Sequence, residues 1–221
     1  MAYQFDWSVI YQHRGELLQG TLSTVGIGSL AWLLSAALGL VLAVTASFAA
    51  QRPLRWLAAA LCDVCCNIPP VVLAFFVYFG VGTDSLWAAL LGVSIYAGGQ
   101  IGETLRAGIR TLPKAQIESA LSSGLRPRHY ITRIVLPQAI EEMLQPLAGR
   151  FVNILKNTSL GMTVGVAELT FQSRQIESLT FRGVEVLTAS MVIYVVLGGA
   201  TLGVFTLLGR RLRRRRSGAP E

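Results

Sequence analysis

Charge is scarce in this sequence. Only 14% of its 221 residues are Asp, Glu, Lys or Arg, where a soluble domain carries about 25%. With 52% hydrophobic residues and a mean hydropathy of +0.54, too little polar material is present to cover a soluble fold of this size. The same apolar richness excludes a disordered chain, which leaves an integral membrane protein. Cysteine is also sparse. Cys62, Cys65 and Cys66 share one apolar run, so a disulfide framework is excluded, and three thiolates inside a span make a poor metal site. No Gly-x-x-x-x-Gly-Lys-Ser/Thr loop is present to cradle nucleotide phosphates, so no ATP hydrolysis is expected from this chain. Residues 1–20 lack a basic stretch ahead of a short apolar core, and the first apolar run is expected to be an uncleaved anchor.

What is present is a series of apolar runs. A hydrocarbon core about 30 Å thick needs roughly 20 apolar residues in a helix. Runs at about 22–50, 56–80, 85–105, 147–169 and 184–208 meet or approach that length, so the expectation is an all-α membrane protein with five spans in one domain over 1–221. The second run carries Asp63 and the Pro69-Pro70 pair, which must break its backbone bonding. Trp56 and Trp87 start spans, as interfacial tryptophans do, and Trp32 is expected to pack mid-span.

The net charge of +7 is unevenly placed. Arg52, Arg55, Arg110, Lys114, Arg126, Arg128, Arg133 and six tail arginines (Arg210, Arg211 and 213–216) fall on one set of connections. Arg14, Arg174 and Arg182 fall on the other. Basic connections stay in the cytoplasm, so the amino terminus is expected outside and the carboxyl terminus inside. A nucleic-acid binder would spread its basic stripe over a folded face, and none is expected here.

The longest hydrophilic interruption, about 106–146, is then cytoplasmic. Pro113 suits the first turn of a short helix and Gly124 its left-handed stop. A second short amphipathic helix, from about Pro127, is expected to end at Leu136-Pro137. Within this loop, Glu118-Ser119-Ala120, Gly124, Ile134 and Leu136-Pro137 stand at a particular spacing: Glu-x-Ala, three residues, Gly, nine residues, Ile, one residue, Leu-Pro. That pattern resembles the EAA loop of bacterial ABC importer permeases, with Ser119 in place of an alanine. The flanking Glu103, Arg106-Ala-Gly108-Ile109, Leu136-Pro-Gln-Ala139, Lys156-Asn-Thr-Ser-Leu160 and Glu168-Leu169 are similar to the polar amino-acid uptake permeases, the His/Glu/Gln/Arg/opine group. Departures are Ala115, Asn157, and Cys66 and Leu73, where relatives carry Gly, Asp, Arg and Gln.

The resemblance implies a permease subunit of an importer for a polar amino acid, multi-pass in the bacterial cytoplasmic membrane. It implies a cytoplasmic ATPase dimer that binds ATP and Mg and receives the Glu118–Gly124 segment. It also implies a second permease chain, same or related, and an extracytoplasmic substrate-binding protein, while this chain itself binds no cofactor. Physically, Ser119, Ala120, Ser122 and Ser123 offer a small-residue face for close seating, and Glu118 offers a charge to a basic partner.

Charged groups within spans cost about 2.5–3.5 kcal/mol each near a helix centre. Glu103 and Arg106, three apart, are expected either to pair or to serve a gate. Lys156, Asn157, Thr158 and Ser159 form a polar patch suited to helix packing or to lining a pathway. Asp63, with Asn67 and Pro69 beyond it, reads as a buried partner for a basic residue or as a pathway group. Glu168 is expected at the outer end, in solvent. Gly98 with Gly102 and Gly199 with Gly203 permit close helix contact. A secondary transporter would show an inverted repeat, which five spans forbid. An intramembrane enzyme would need a nucleophile–base set, and the spans contain no histidine.

Overall fold

The computed structural model describes residues 3–217; the side chains of Lys114, Ile117, Ala120, Leu121 and residues 212–217 lie outside the described set. Among the described residues every regular element is helical: α1 (Ser8–Gln12), α2 (Arg14–Phe48), α3 (Arg52–Asn67), α4 (Pro70–Phe75), α5 (Ser85–Thr111), α6 (Lys114–Ser122), α7 (Pro127–Tyr130), α8 (Leu136–Glu142), α9 (Leu144–Asn157), α10 (Leu169–Thr180) and α11 (Gly183–Ser217). By length and composition, α2 and the Gly183–Arg211 part of α11 can each cross a membrane, and Arg52–Asn67 with Pro70–Val81 would be a third, broken span. α2 has 35 residues and is about 50 Å long at 1.5 Å per residue, so it extends well beyond the apolar run from Leu22. α5, 27 residues long, carries Gln100, Glu103, Arg106 and Arg110 and is not among the spans counted by apolarity.

Two apolar runs are not single helices. The second is broken at Ile68-Pro69, where Pro69 takes an extended backbone (φ −56°, ψ 133°) and Pro70 opens α4 in the first turn. A missing N–H costs nothing there. α4 runs into a π-helical turn, Phe76–Val81, stopped by left-handed Gly82. The fourth run divides into α9 and a 3₁₀ turn, Thr158–Val164, stopped by left-handed Gly165. Its cause is local. The hydroxyls of Thr158, Ser159 and Thr163 donate to the carbonyls of Leu155, Lys156 and Leu160, three residues back, which favours the tighter winding.

The chain divides into two compact units. The first comprises residues 1–34, 68–96 and 151–201. Val9, Leu17, Leu169, Ile176 and Val186 form one core cluster in it. Ala89, Val164 and Val166 form a second, packed by Ile27 and Tyr78. Trp32 packs as expected: its indole Nε1 donates to the Phe151 carbonyl at 2.9 Å, and the rings meet edge to face at 5.4 Å.

Two acidic residues anchor this unit. Glu168 is fully buried, not solvated as the sequence suggests. It caps α10 by accepting from the Thr170 and Phe171 backbone N–H groups (2.8 and 2.9 Å) and from the Tyr194 hydroxyl (2.9 Å). The orphan N–H groups of a helix start require such an acceptor. Glu185, also fully buried, accepts from the Tyr3 hydroxyl (2.5 Å) and the Asp6 backbone N–H (2.8 Å), fastening the amino-terminal segment to the start of α11. The hydrogen bond to Glu185 raises the Tyr3 phenol above its ordinary value. Donation from Ser8 Oγ and N–H holds the Asp6 carboxyl below its own.

The second unit comprises residues 35–67, 97–150 and 202–221. Leu42, Ala58 and Cys62 form its core cluster, with Leu38 and Ala46 against it. Here α2 and α5 approach closely: a Cβ on Gly39 would stand 2.8 Å from both the Gly102 nitrogen and the Gly98 oxygen. The Gly98/Gly102 spacing therefore serves backbone contact, whereas a Cβ on Gly199 or Gly203 meets nothing within 4 Å in this chain.

Candidate functional site

The loop after α5 is built to present one short helix. α5 ends at Thr111, and Pro113 stands just ahead of α6, its carbonyl accepting from the Gln116 N–H at 3.0 Å. The chain leaves α6 through Gly124 at φ +72°, the left-handed stop expected there. A Cβ at Gly124 would meet nothing within 4 Å, so backbone conformation, not space, selects glycine. Glu118 and Ser119 are exposed on α6. The Ser122 and Ser123 hydroxyls each donate to the carbonyl four residues back, Glu118 and Ser119, at 2.9 Å. The donors of these two serines on the small-residue face are therefore engaged within the helix. The backbone of Ala120 lies on this helix, while its side chain is outside the described set.

The return arm differs from expectation. α7 passes through a π-helical turn, Ile131–Val135, directly into α8, whose first turn holds Leu136 and exposed Pro137. Pro137 does not stop the helix. It lacks the N–H that would bond back one turn, and the wider π-type winding before it accommodates that gap. Tyr130, Ile131, Val135 and Ala139 are buried along the arm, and Tyr130 meets Phe48 edge to face at 6.0 Å. A Cβ on Gly108 would fall 2.4 Å from Met143 Cγ and 3.0 Å from the Ala139 carbonyl, so Gly108 lets the arm return against α5. Ser119 and Ile134 line one open cavity of about 520 Å³ with Gln116 and Leu125. Of the spaced motif residues, Ser119 and Ile134 are brought together there.

Several polar residues of the second unit lie on α5. Arg106 Nη1 lies 3.0 Å from Glu103 Oε2, and Arg110 stands 3.8 Å from the other carboxylate oxygen. The pairing expected at this spacing is present, extended by one arginine. Arg150 donates to Gln100 Oε1 at 3.1 Å and to Thr104 Oγ1 at 3.4 Å. A lone arginine with no local motif offers no hint of partners nearly fifty residues away.

Asp63 is exposed in this chain rather than buried against a base. Its carbonyl accepts from the Asn67 side-chain amide at 2.6 Å, and together with Arg106 it lines an open cavity of about 670 Å³. Pro69 forms the helix break described above. Lys156 to Ser159 belong to the first unit. Lys156 is exposed in the last turn of α9, Asn157 is half-buried, Thr158 is buried, and both hydroxyls are engaged by their own helix. No group of three metal-binding side chains forms among the described residues.

Apolar helices long enough to span a bilayer, carrying an organised polar loop, define a membrane-embedded protein. The chain belongs to the family of binding-protein-dependent transport system inner membrane components, whose model matches residues 35–214. Among curated proteins, it is 33% identical to the glutamine transport system permease protein GlnP of Escherichia coli K12, over 96% of this chain and 98% of that one. It is 31% identical to the probable glutamine ABC transporter permease protein GlnM of Bacillus subtilis, over 86% and 90%. A crystal structure described as an amino acid ABC transporter with histidines shares the fold at TM-score 0.84 and 24% identity, covering 95% of this chain and all of that one. Membership implies a separate nucleotide-binding subunit and a substrate-binding protein as partners.

Proposed function

We propose that this chain is the permease subunit of an ATP-driven importer of a polar amino acid in the bacterial cytoplasmic membrane. The observation that carries the coupling role is the loop: α6 stands exposed, stopped by left-handed Gly124, and is held from behind by a helical return arm packed on α5. The names of the relatives support an amino-acid cargo. In this reading Glu118, Ser119, Ala120 and Gly124 seat in a groove of a cytoplasmic ATPase dimer, and Ile134, Leu136 and Pro137 hold the return arm. ATP and Mg bind the partner, and this chain binds no cofactor. A second permease chain, the same or related, completes the pathway. The spans number five, with the amino terminus outside and the 106–146 loop inside.

Closure of the ATPase dimer pushes α6 and rocks the attached helices, which is alternating access by rigid-body motion. Asp63, Asn67, Pro69, Glu103, Arg106 and Lys156 to Ser159 are the pathway or gate candidates. Among these, Glu103 with Arg106 and Arg110 forms a polar contact immediately ahead of the loop. The test is co-purification with the ATPase and binding protein, followed by substrate-stimulated ATPase measurement. Gly124→Trp is expected to leave basal ATPase and abolish stimulation. Full stimulation in that variant would overturn the docking role.

A further inference from the structure

The cavity of about 670 Å³ where α2, α3 and α5 meet holds two arginines, Arg52 and Arg55, that the transport reading does not use. Three arginines, Arg52, Arg55 and Arg106, line it together with Trp56 and Asp63. Arg106 is held by Glu103. No ion pair engages Arg52 or Arg55 among the described residues, and Arg52 is exposed. Both stand in the first turn of α3, where the helix dipole disfavours cations. Two guanidinium groups held against the dipole beside an open cavity call for an anion. The rest of the helix says what kind. Trp56, which lines the cavity, is 77% exposed, and Ala59 and Ala60 continue the same side of the helix. A small soluble anion has no use for that apolar surface, whereas an amphiphile with an anionic head and hydrocarbon tails uses both. Basic pockets between spans on the cytoplasmic side suit anionic headgroups, and interfacial tryptophan marks headgroup level.

We infer that this cavity binds an anionic phospholipid of the inner leaflet. Arg52 and Arg55 hold its phosphodiester, Arg106 faces the same charge, and the acyl chains lie along Trp56, Ala59 and Ala60 on the cavity side of α3. Because Arg106 sits one turn ahead of the α5 terminus, the bound headgroup bridges α3 to the base of the coupling loop. The leaflet assignment rests on the proposed orientation, but the binding itself does not.

The test uses the full chain in nanodiscs of phosphatidylcholine containing trace spin-labelled phosphatidylglycerol or spin-labelled phosphatidylcholine. Both faces of a nanodisc carry the same lipid, so failure of the site is distinguishable from an inverted chain. The motionally restricted fraction is expected to favour phosphatidylglycerol by about fivefold per engaged arginine. Arg52→Gln/Arg55→Gln is expected to bring the preference near unity, while Arg14→Gln keeps it. Equal restriction of both lipids in the native chain, or a preference that survives the double substitution, overturns the site. Loss of the preference on adding millimolar inorganic phosphate at constant ionic strength assigns the cavity to a soluble anion and overturns the lipid. Should the double variant not fold, thermal unfolding of the native chain decides. A rise on replacing part of the phosphatidylcholine with phosphatidylglycerol supports the site, and no rise overturns it.

Discussion

The Arg150 guanidinium donates to the Gln100 side-chain oxygen at 3.1 Å, and no carboxylate pairs with it among the described residues. A charge on a helix of a membrane-embedded protein, held only by neutral oxygens, contributes little to folding and points to function. Arg150→Gln, which retains an amide donor for Gln100, is expected to change stability by less than about 1 kcal/mol and to lower transport about tenfold or more. Thermal unfolding of the purified chain and uptake by reconstituted vesicles check the two halves. Full uptake would reduce Arg150 to a structural residue.

The close approach of α2 and α5 in the second unit is equally exposed to test. A Cβ on Gly39 would strike the backbone of Gly98 and Gly102. Gly39→Val is expected to destabilise by about 1–3 kcal/mol through overpacking, seen as a lower unfolding temperature in detergent. Gly199→Val, with open space around it in this chain, is expected to leave the isolated chain's unfolding unchanged.

Glu168 is the buried cap of α10, and its contacts predict a graded series. Glu168→Ala strands two backbone donors in a buried site, costing about 2–3 kcal/mol, although the Tyr194 hydroxyl keeps Thr170 Oγ1 at 3.0 Å. Tyr194→Phe removes one donor and costs about 1 kcal/mol. Equilibrium unfolding of the two variants is expected to rank them in that order.

Orientation is checked chemically. Ser123→Cys in the coupling loop and Ser178→Cys in α10, both exposed positions, are expected to react with a membrane-impermeant maleimide from opposite sides. Intact cells should label the second and inside-out vesicles the first. The reverse pattern would invert the topology.

Much of the loop was legible in the sequence because its determinants are local. Gly124 needs a positive φ whatever surrounds it, and Pro70 can open a helix but not continue one. Glu103 and Arg106 lie one turn apart and pair without help from another element. Glu168 and Glu185 were misread or passed over because their partners, Tyr194, Tyr3 and Asp6, are brought to them by tertiary folding. The division at Asn157 was hidden by hydrophobicity. The 158–164 segment is apolar enough to extend a span, but the serine and threonine hydroxyls that tighten it carry no period. Pro137 was misread for a related reason: a proline stops a helix only where the preceding turn cannot widen.

That widened turn bears on how force travels. From Pro127 to Glu142 the return arm is helical throughout, with non-helical residues at 124–126 on one side and Met143 on the other. Such an arm behaves as a strut with a joint at each end. In the proposed coupling role, a displacement imposed on α6 would travel along its length and reach the first turn of α9, the helix that carries Arg150.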